Sequence, residues 1–103
     1  MKIDYVALAK QIVMKKIDNT AYDIFLFGSR ADGTAREMSD IDIGIKGKKQ
    51  LDLITRALLD ETFENSIIPY KIDIVDFSTA SEKFKSYAMQ HAVYWNRVSD
   101  NNC

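Results

Sequence analysis

Ile24-Phe25-Leu26-Phe27-Gly28-Ser29, then ten residues (30–39), then Asp40-Ile41-Asp42-Ile43-Gly44-Ile45 is the run on which the fold turns. The first segment is wholly apolar and rich in β-formers, and glycine and serine close it. It reads as a buried strand. Residues 39–45 alternate with a period of two and read as a second strand. Aspartate is depleted in strands, because it competes for backbone hydrogen bonds and resists burial. Here two of them share one face, with Cα atoms roughly 6.5–7 Å apart. Ile41, Ile43 and Ile45 take the opposite face, where helices can pack. Downstream, Ile72-Asp73-Ile74 repeats the pattern inside a strand expected over residues 71–75.

Outward from these strands, the spacing of Tyr5, Leu8, Ala9, Ile12 and Val13 predicts a helix over residues 4–17, with Asp4 as N-cap. Asp18-Asn19-Thr20 stops it with turn chemistry. Residues 30–39 are polar, contain Gly33, and form a loop or one helical turn. Lys46-Gly47-Lys48-Lys49 reads as a solvated turn. Residues 50–64 predict a second helix with Leu51, Ile54, Ala57 and Leu58 on one face. Ser78 or Ser81 caps a last helix carrying Phe84, Tyr87 and Ala88, with His91 as a candidate last member. Val93-Tyr94-Trp95 extends beyond it, and 100–103 reads as a frayed end. This order predicts an α+β fold of α/β-like character: a small mixed sheet of three or four strands flanked by helices.

The 103 residues fit one domain, 1–103. A domain this small has little surface for a second lobe, so part of its substrate recognition is expected from another chain. The net charge of −1 gives no global drive toward a nucleic-acid backbone. The single cysteine, Cys103, excludes an internal disulfide and a cysteine-based metal cage, and a cytoplasmic setting is the expectation. No apolar run has the length of a membrane span, and the first residues lack the apolar stretch of a secretory signal.

Asp40 and Asp42 alone fit two readings. They are the wet face of a half-exposed sheet, or they are the start of a carboxylate cluster. Asp73, with the same flanking pattern, favours the cluster, provided its strand pairs with the first. Two unit charges about 4 Å apart repel by about 4 kcal/mol at an effective dielectric of about 20. Such a cluster is readily kept if a cation neutralises it, and hard oxygen ligands select Mg²⁺ or Mn²⁺ over zinc. Asp76 lies an odd number of positions from Asp73 and is expected to face away. His91, the sole histidine, reads as a packing or surface residue. A P-loop is excluded, because it needs lysine where Thr34 stands. A calcium loop is excluded by Gly44 and Leu51 at ligand positions.

Phe27-Gly28-Ser29, the ten residues 30–39, Asp40-Ile41-Asp42-Ile43 and Ile72-Asp73-Ile74 together resemble the signature of the polymerase-beta-type nucleotidyltransferase superfamily. Gly28-Ser29-Arg30-Ala31-Asp32-Gly33 with Ser39-Asp40-Ile41-Asp42 is most similar to the minimal nucleotidyltransferases of prokaryotes, often paired with a helical HEPN-domain protein. The resemblance implies a polymerase-beta palm-like fold, and two Mg²⁺ or Mn²⁺ ions held by Asp40, Asp42 and Asp73. It also implies that Asp73 helps to activate an acceptor hydroxyl, and that Gly28 and Ser29 hold the β- and γ-phosphates. Arg30 is implied to neutralise phosphate charge or to touch the partner. Asp32 departs from the pattern, where a basic or neutral residue is frequent, as does Ala92, where glycine is expected.

The expected activity is transfer of a nucleoside monophosphate, AMP from ATP, to a hydroxyl on a HEPN toxin partner, giving the chain an antitoxin role in a hetero-oligomer. Two other classes stand beside it: a nucleotide-binding module that neutralises a partner by contact, and one subunit of a small-molecule nucleotidyltransferase.

Overall fold

A four-stranded mixed sheet in the order β3-β2-β1-β4 carries the molecule. The structure, a computed structural model, describes residues 2–79 and 81–98. In chain order the elements are α1 (Tyr5–Lys16), β1 (Tyr22–Phe27), α2 (Ser29–Asp32), β2 (Ile41–Gly47), α3 (Leu53–Glu64), β3 (Ile72–Asp76), α4 (Glu82–Met89) and β4 (Val93–Asn96). The α+β class expected from the sequence is the one observed. The fourth strand comes from Val93-Tyr94-Trp95, which the sequence marks only as extended; it pairs antiparallel with β1, with a register shift between Ile24 and Phe25. The frayed end expected over 100–103 lies outside the described residues.

Strand alternation sorts the sheet into two faces. On one, Ile24, Leu26, Ile41, Ile43, Ile45 and Ile74 pack with Ala9 and Val13 of α1 and Leu59 and Phe63 of α3 into the main core. On the other, Phe25, Phe27 and Phe77 form a second, aromatic core with Tyr94 against it. Gly44 makes that second core possible, because a Cβ there would collide with the Phe25 and Phe77 rings. Asp42 and Asp73 belong to this second face.

Helix α1 begins as the sequence predicts: the Asp4 carboxylate accepts from the Ala7 backbone N–H at 3.0 Å. Helix α4 is capped by Ser81, whose hydroxyl accepts from Phe84 N, and it ends before His91. Lys46 and Gly47 continue β2 and pair with Asp23 and Tyr22, so the turn starts later than the lysines alone imply.

The face expected for the second helix is corrected. Leu59 and Phe63 point inward, while Ile54 and Leu58 are 74% and 53% exposed, and Ala57 is exposed too. The inward row continues to Thr55 and is polar at that end, so the apolar pattern drew attention to the wrong side. Leu51 is buried, but it precedes the helix. Its N–H donates to Asp76 Oδ2 at 2.7 Å, which sets where α3 starts relative to the sheet.

Candidate active site

Two strands and one turn build the site. β2 and β3 run parallel with Asp42 paired to Asp73, Ile41 to Ile72 and Ile43 to Ile74. Neighbouring strands lie about 4.8 Å apart, and directly paired residues share a face, so the Asp42 and Asp73 side chains project side by side. Asp40 immediately precedes β2, and the Ile41 N–H donating to Lys71 O at 2.9 Å anchors the chain just after it. Asp42 is half-buried, while Asp40 and Asp73 are exposed.

The electrostatics record this crowding. Burial pushes the Asp42 carboxyl above its ordinary value, the negative charges of Asp73 and then Asp40 push it the same way, and Lys71 pulls it partly back. Among the described residues no three His, Cys, Asp or Glu side chains are gathered closely enough to grip an ion as they stand. Asp42 and Asp73 are thus brought together by the sheet, and Asp40 is held within electrostatic reach of Asp42. The donor set is carboxylate oxygen only, and its mutual repulsion is what a hard divalent cation relieves. These residues fit such an ion.

β1 delivers the turn. Phe27, its last residue, pairs with Asp42. Gly28 follows with φ 77°, a conformation that side chains rarely adopt. A Cβ on Gly28 would run into Asp42 Oδ2 and stand 3.1 Å from Asp42 Cγ. Only glycine lets the turn close against the carboxylate. Ser29 then opens the single turn α2, where Ala31 N and Asp32 N both donate to Gly28 O at 3.0 Å. The turn ends at Gly33, φ 86°. Thr34 donates to Asp32 Oδ1 through its hydroxyl at 2.6 Å and its N–H at 2.9 Å. Those two bonds hold the Asp32 carboxyl below its usual range, with a smaller contribution from His91.

Arg30 braces the loop that carries Asp40. Its Nη2 and Nε donate to Ser39 O at 2.7 and 3.1 Å, and its guanidinium lies 4.4 Å over the Tyr70 ring. Tyr70 in turn meets Tyr5 edge-on, with centroids 5.5 Å apart. Sequence reading missed this brace, because neither Tyr70 nor the Ser39 carbonyl carries a local signal. Asp76 faces away from the carboxylates, accepting from Leu51 N and from Ser78 N at 2.9 Å.

The sequence profile described as polymerase beta, nucleotidyltransferase, matches residues 8–95. The chain belongs to the polymerase beta nucleotidyltransferase family. Nucleotidyltransferases of this family use divalent metal ions, in keeping with the donor set. The probable protein adenylyltransferase MntA of Haemophilus influenzae is 34% identical over 85 residues, covering 82% of this chain and 73% of that protein. Among solved structures, a chain of a toxin-antitoxin complex with AMP-PNP aligns with a TM-score of 0.68 at 26% identity, covering 90% of this chain and 73% of that one. A chain from the complex of tri-AMPylated Shewanella oneidensis HEPN toxin with MNT antitoxin aligns with a TM-score of 0.61 at 25% identity, covering 89% and 73%. The two solved chains share the polymerase-beta-like fold of this nucleotidyltransferase. No helix among the described residues is long and apolar enough to cross a membrane.

Proposed function

We propose that this nucleotidyltransferase moves AMP from ATP onto a hydroxyl of a HEPN-domain protein partner, and so acts as the antitoxin of that pair. The observation that carries the reading is the register of β2 against β3, which sets Asp42 beside Asp73 while the Gly28 turn closes on Asp42. Its chemistry follows from these groups. Gly28 and Ser29 hold the β- and γ-phosphates, glycine by allowing close backbone approach and serine by its hydroxyl. Asp40, Asp42 and Asp73 would hold two Mg²⁺ or Mn²⁺ ions. When bound, the ions supply charge neutralisation at the phosphates and lower the pKa of an attacking hydroxyl. The acceptor oxygen attacks the α-phosphorus, the α–β bridging bond breaks, and pyrophosphate leaves. Asp73 takes the hydroxyl proton at its carboxylate. Arg30 keeps Ser39, and with it Asp40, at the edge of the site.

The acceptor comes from a partner: among the described residues, no second lobe covers the carboxylate edge. The relatives support that choice: one is named a probable protein adenylyltransferase, and another sits in a complex whose toxin carries AMP groups.

The test is to incubate the chain with the helical HEPN product of its neighbouring gene, ATP and Mg²⁺, and to weigh both proteins by intact mass spectrometry. Partner mass raised by whole AMP units, and unchanged with Asp42→Asn, is the expected result. A tight complex that gains no mass with any nucleotide or metal would replace transfer with neutralisation by contact.

A further inference from the structure

On the aromatic face of the sheet, a cleft of about 270 Å³ opens between the Gly28 turn and helix α4. One wall is aromatic. Phe84, itself 43% exposed, lies flat on the fully buried Phe77, with centroids 5.2 Å apart and ring planes 8° from parallel. Tyr87, three residues on and therefore its neighbour along the helix, is 75% exposed. An exposed ring beside one that stacks on the core gives a surface on which a flat molecule can lie. Gln90, just after the helix, borders the same cleft with an amide able both to donate and to accept. Pockets for whole drug-sized ligands run to about 300–1,000 Å³. This one suits a single ring system. Gly28 lines the cleft and also abuts Asp42. A ligand anchored at Gly28 and Ser29 by its phosphates thus has this cleft as immediate neighbour.

We infer that the cleft seats the purine base of the nucleoside triphosphate, with Tyr87 stacking on the ring and Gln90 hydrogen-bonding its edge. This rests on the triphosphate reading of the Gly28 turn given above. Stacking on an aromatic side chain favours the larger purine face and tolerates different edges. The glutamine amide matches the donor–acceptor pair of adenine N6 and N7.

The full-length chain is titrated calorimetrically in Mg²⁺ with ATP, with CTP and with inorganic tripolyphosphate. The wild-type chain is expected to bind ATP more tightly than CTP or tripolyphosphate. Tyr87→Ala weakens ATP roughly tenfold or more, as loss of one stacked base does, and leaves tripolyphosphate unchanged. Tyr87→Trp restores ATP binding, and Gln90→Ala narrows the preference for ATP over CTP. Because Tyr87 is exposed, its truncation does not threaten the core. Unchanged ATP affinity in Tyr87→Ala, or tripolyphosphate bound by wild type as tightly as ATP, overturns the base site and leaves the phosphate reading standing. A wild-type chain that binds neither ATP nor tripolyphosphate overturns both.

Discussion

Asp42 and Asp73 stand directly opposite each other across the parallel β2–β3 ladder, although the whole of α3 separates them in sequence. Their proximity is a property of the register, and it has a cost that can be read in the absence of metal. The Asp42 carboxyl is raised by burial and by its two acidic neighbours, so deprotonation is harder in the folded chain than in the unfolded one. Stability therefore falls as pH rises from the ordinary carboxylate range through the raised value. In chelator at neutral pH, Asp42→Asn is expected to melt about 1–4 °C higher than wild type. A full 1 kcal/mol corresponds to about 4–8 °C in a domain of this size, and solvent partly screens a half-buried carboxylate. At about pH 3, below the usual aspartate value, the advantage vanishes. Circular dichroism melts at the two pH values decide it, and a lower melting point for Asp42→Asn at neutral pH contradicts the crowding.

Metal should act on the same pair. Mg²⁺ or Mn²⁺ is expected to raise the melting temperature of wild type and to strengthen ATP binding, with both effects lost in Asp42→Asn and Asp73→Asn. The amide keeps the shape but is a poorer ligand for a hard cation. Calorimetry with ATP in magnesium and in chelator checks this; equal affinities in the two would remove the ion-bridged site.

Asp73 and Asp76 separate chemistry from architecture within one strand. Asp73→Ala should lower transfer by on the order of 10²–10³-fold with little change in melting temperature. Asp76→Ala strands the N–H groups of Leu51 and Ser78, and a lost buried partner costs about 1–3 kcal/mol. Its melting temperature should fall while turnover per folded molecule persists. Thermal melts paired with single-turnover assays distinguish the two, and the reverse pattern would mean that the roles are exchanged.

Gly28→Ala places a methyl group against the Asp42 carboxylate at a backbone angle alanine resists. Misplacing a catalytic group by about 1 Å is enough for about 10²-fold, so transfer should drop by about that factor. A Gly28→Ala enzyme with wild-type turnover would show that the turn has room it does not display.

Arg30→Lys keeps the charge but loses the forked pair of bonds to Ser39 O and the flat contact with Tyr70. The expected results are a lower melting temperature and reduced transfer, with most of the loss already present in Arg30→Lys and little more in Arg30→Ala. Full rescue by lysine would assign Arg30 to charge alone.

The strands and the carboxylate pattern were legible because period-two alternation is local: Asp40, Asp42 and Asp73 each announce their face through flanking isoleucines. What joins them is not local. Nothing in the sequence near Asp42 states that β3 lies parallel to β2 with Asp73 in register. That follows from the α3 crossover, and the resemblance to a known family supplied it in advance. The face of α3 was misread for a related reason. Its helix carries two apolar rows, Ile54 with Leu58 and Leu59 with Phe63, and it is the second that packs into the main core against the sheet isoleucines. Tyr87 was read as part of a helix face, yet it is 75% exposed, and the α4 ring that meets the second core is Phe84, which stacks on Phe77 while staying 43% exposed.

Gly44 and the alternation around it also limit how this chain can change length over evolutionary time. One residue inserted or deleted inside β2 exchanges the two faces, turning isoleucines toward the Gly28 turn and aspartates toward the main core, so that stability and activity fail in a single event. The loop over residues 33–38 is under no such rule, since it is exposed and returns to the sheet through the grip of Arg30 on Ser39. Lineages descending from this chain should accept gained or lost residues there and reject them a few positions later.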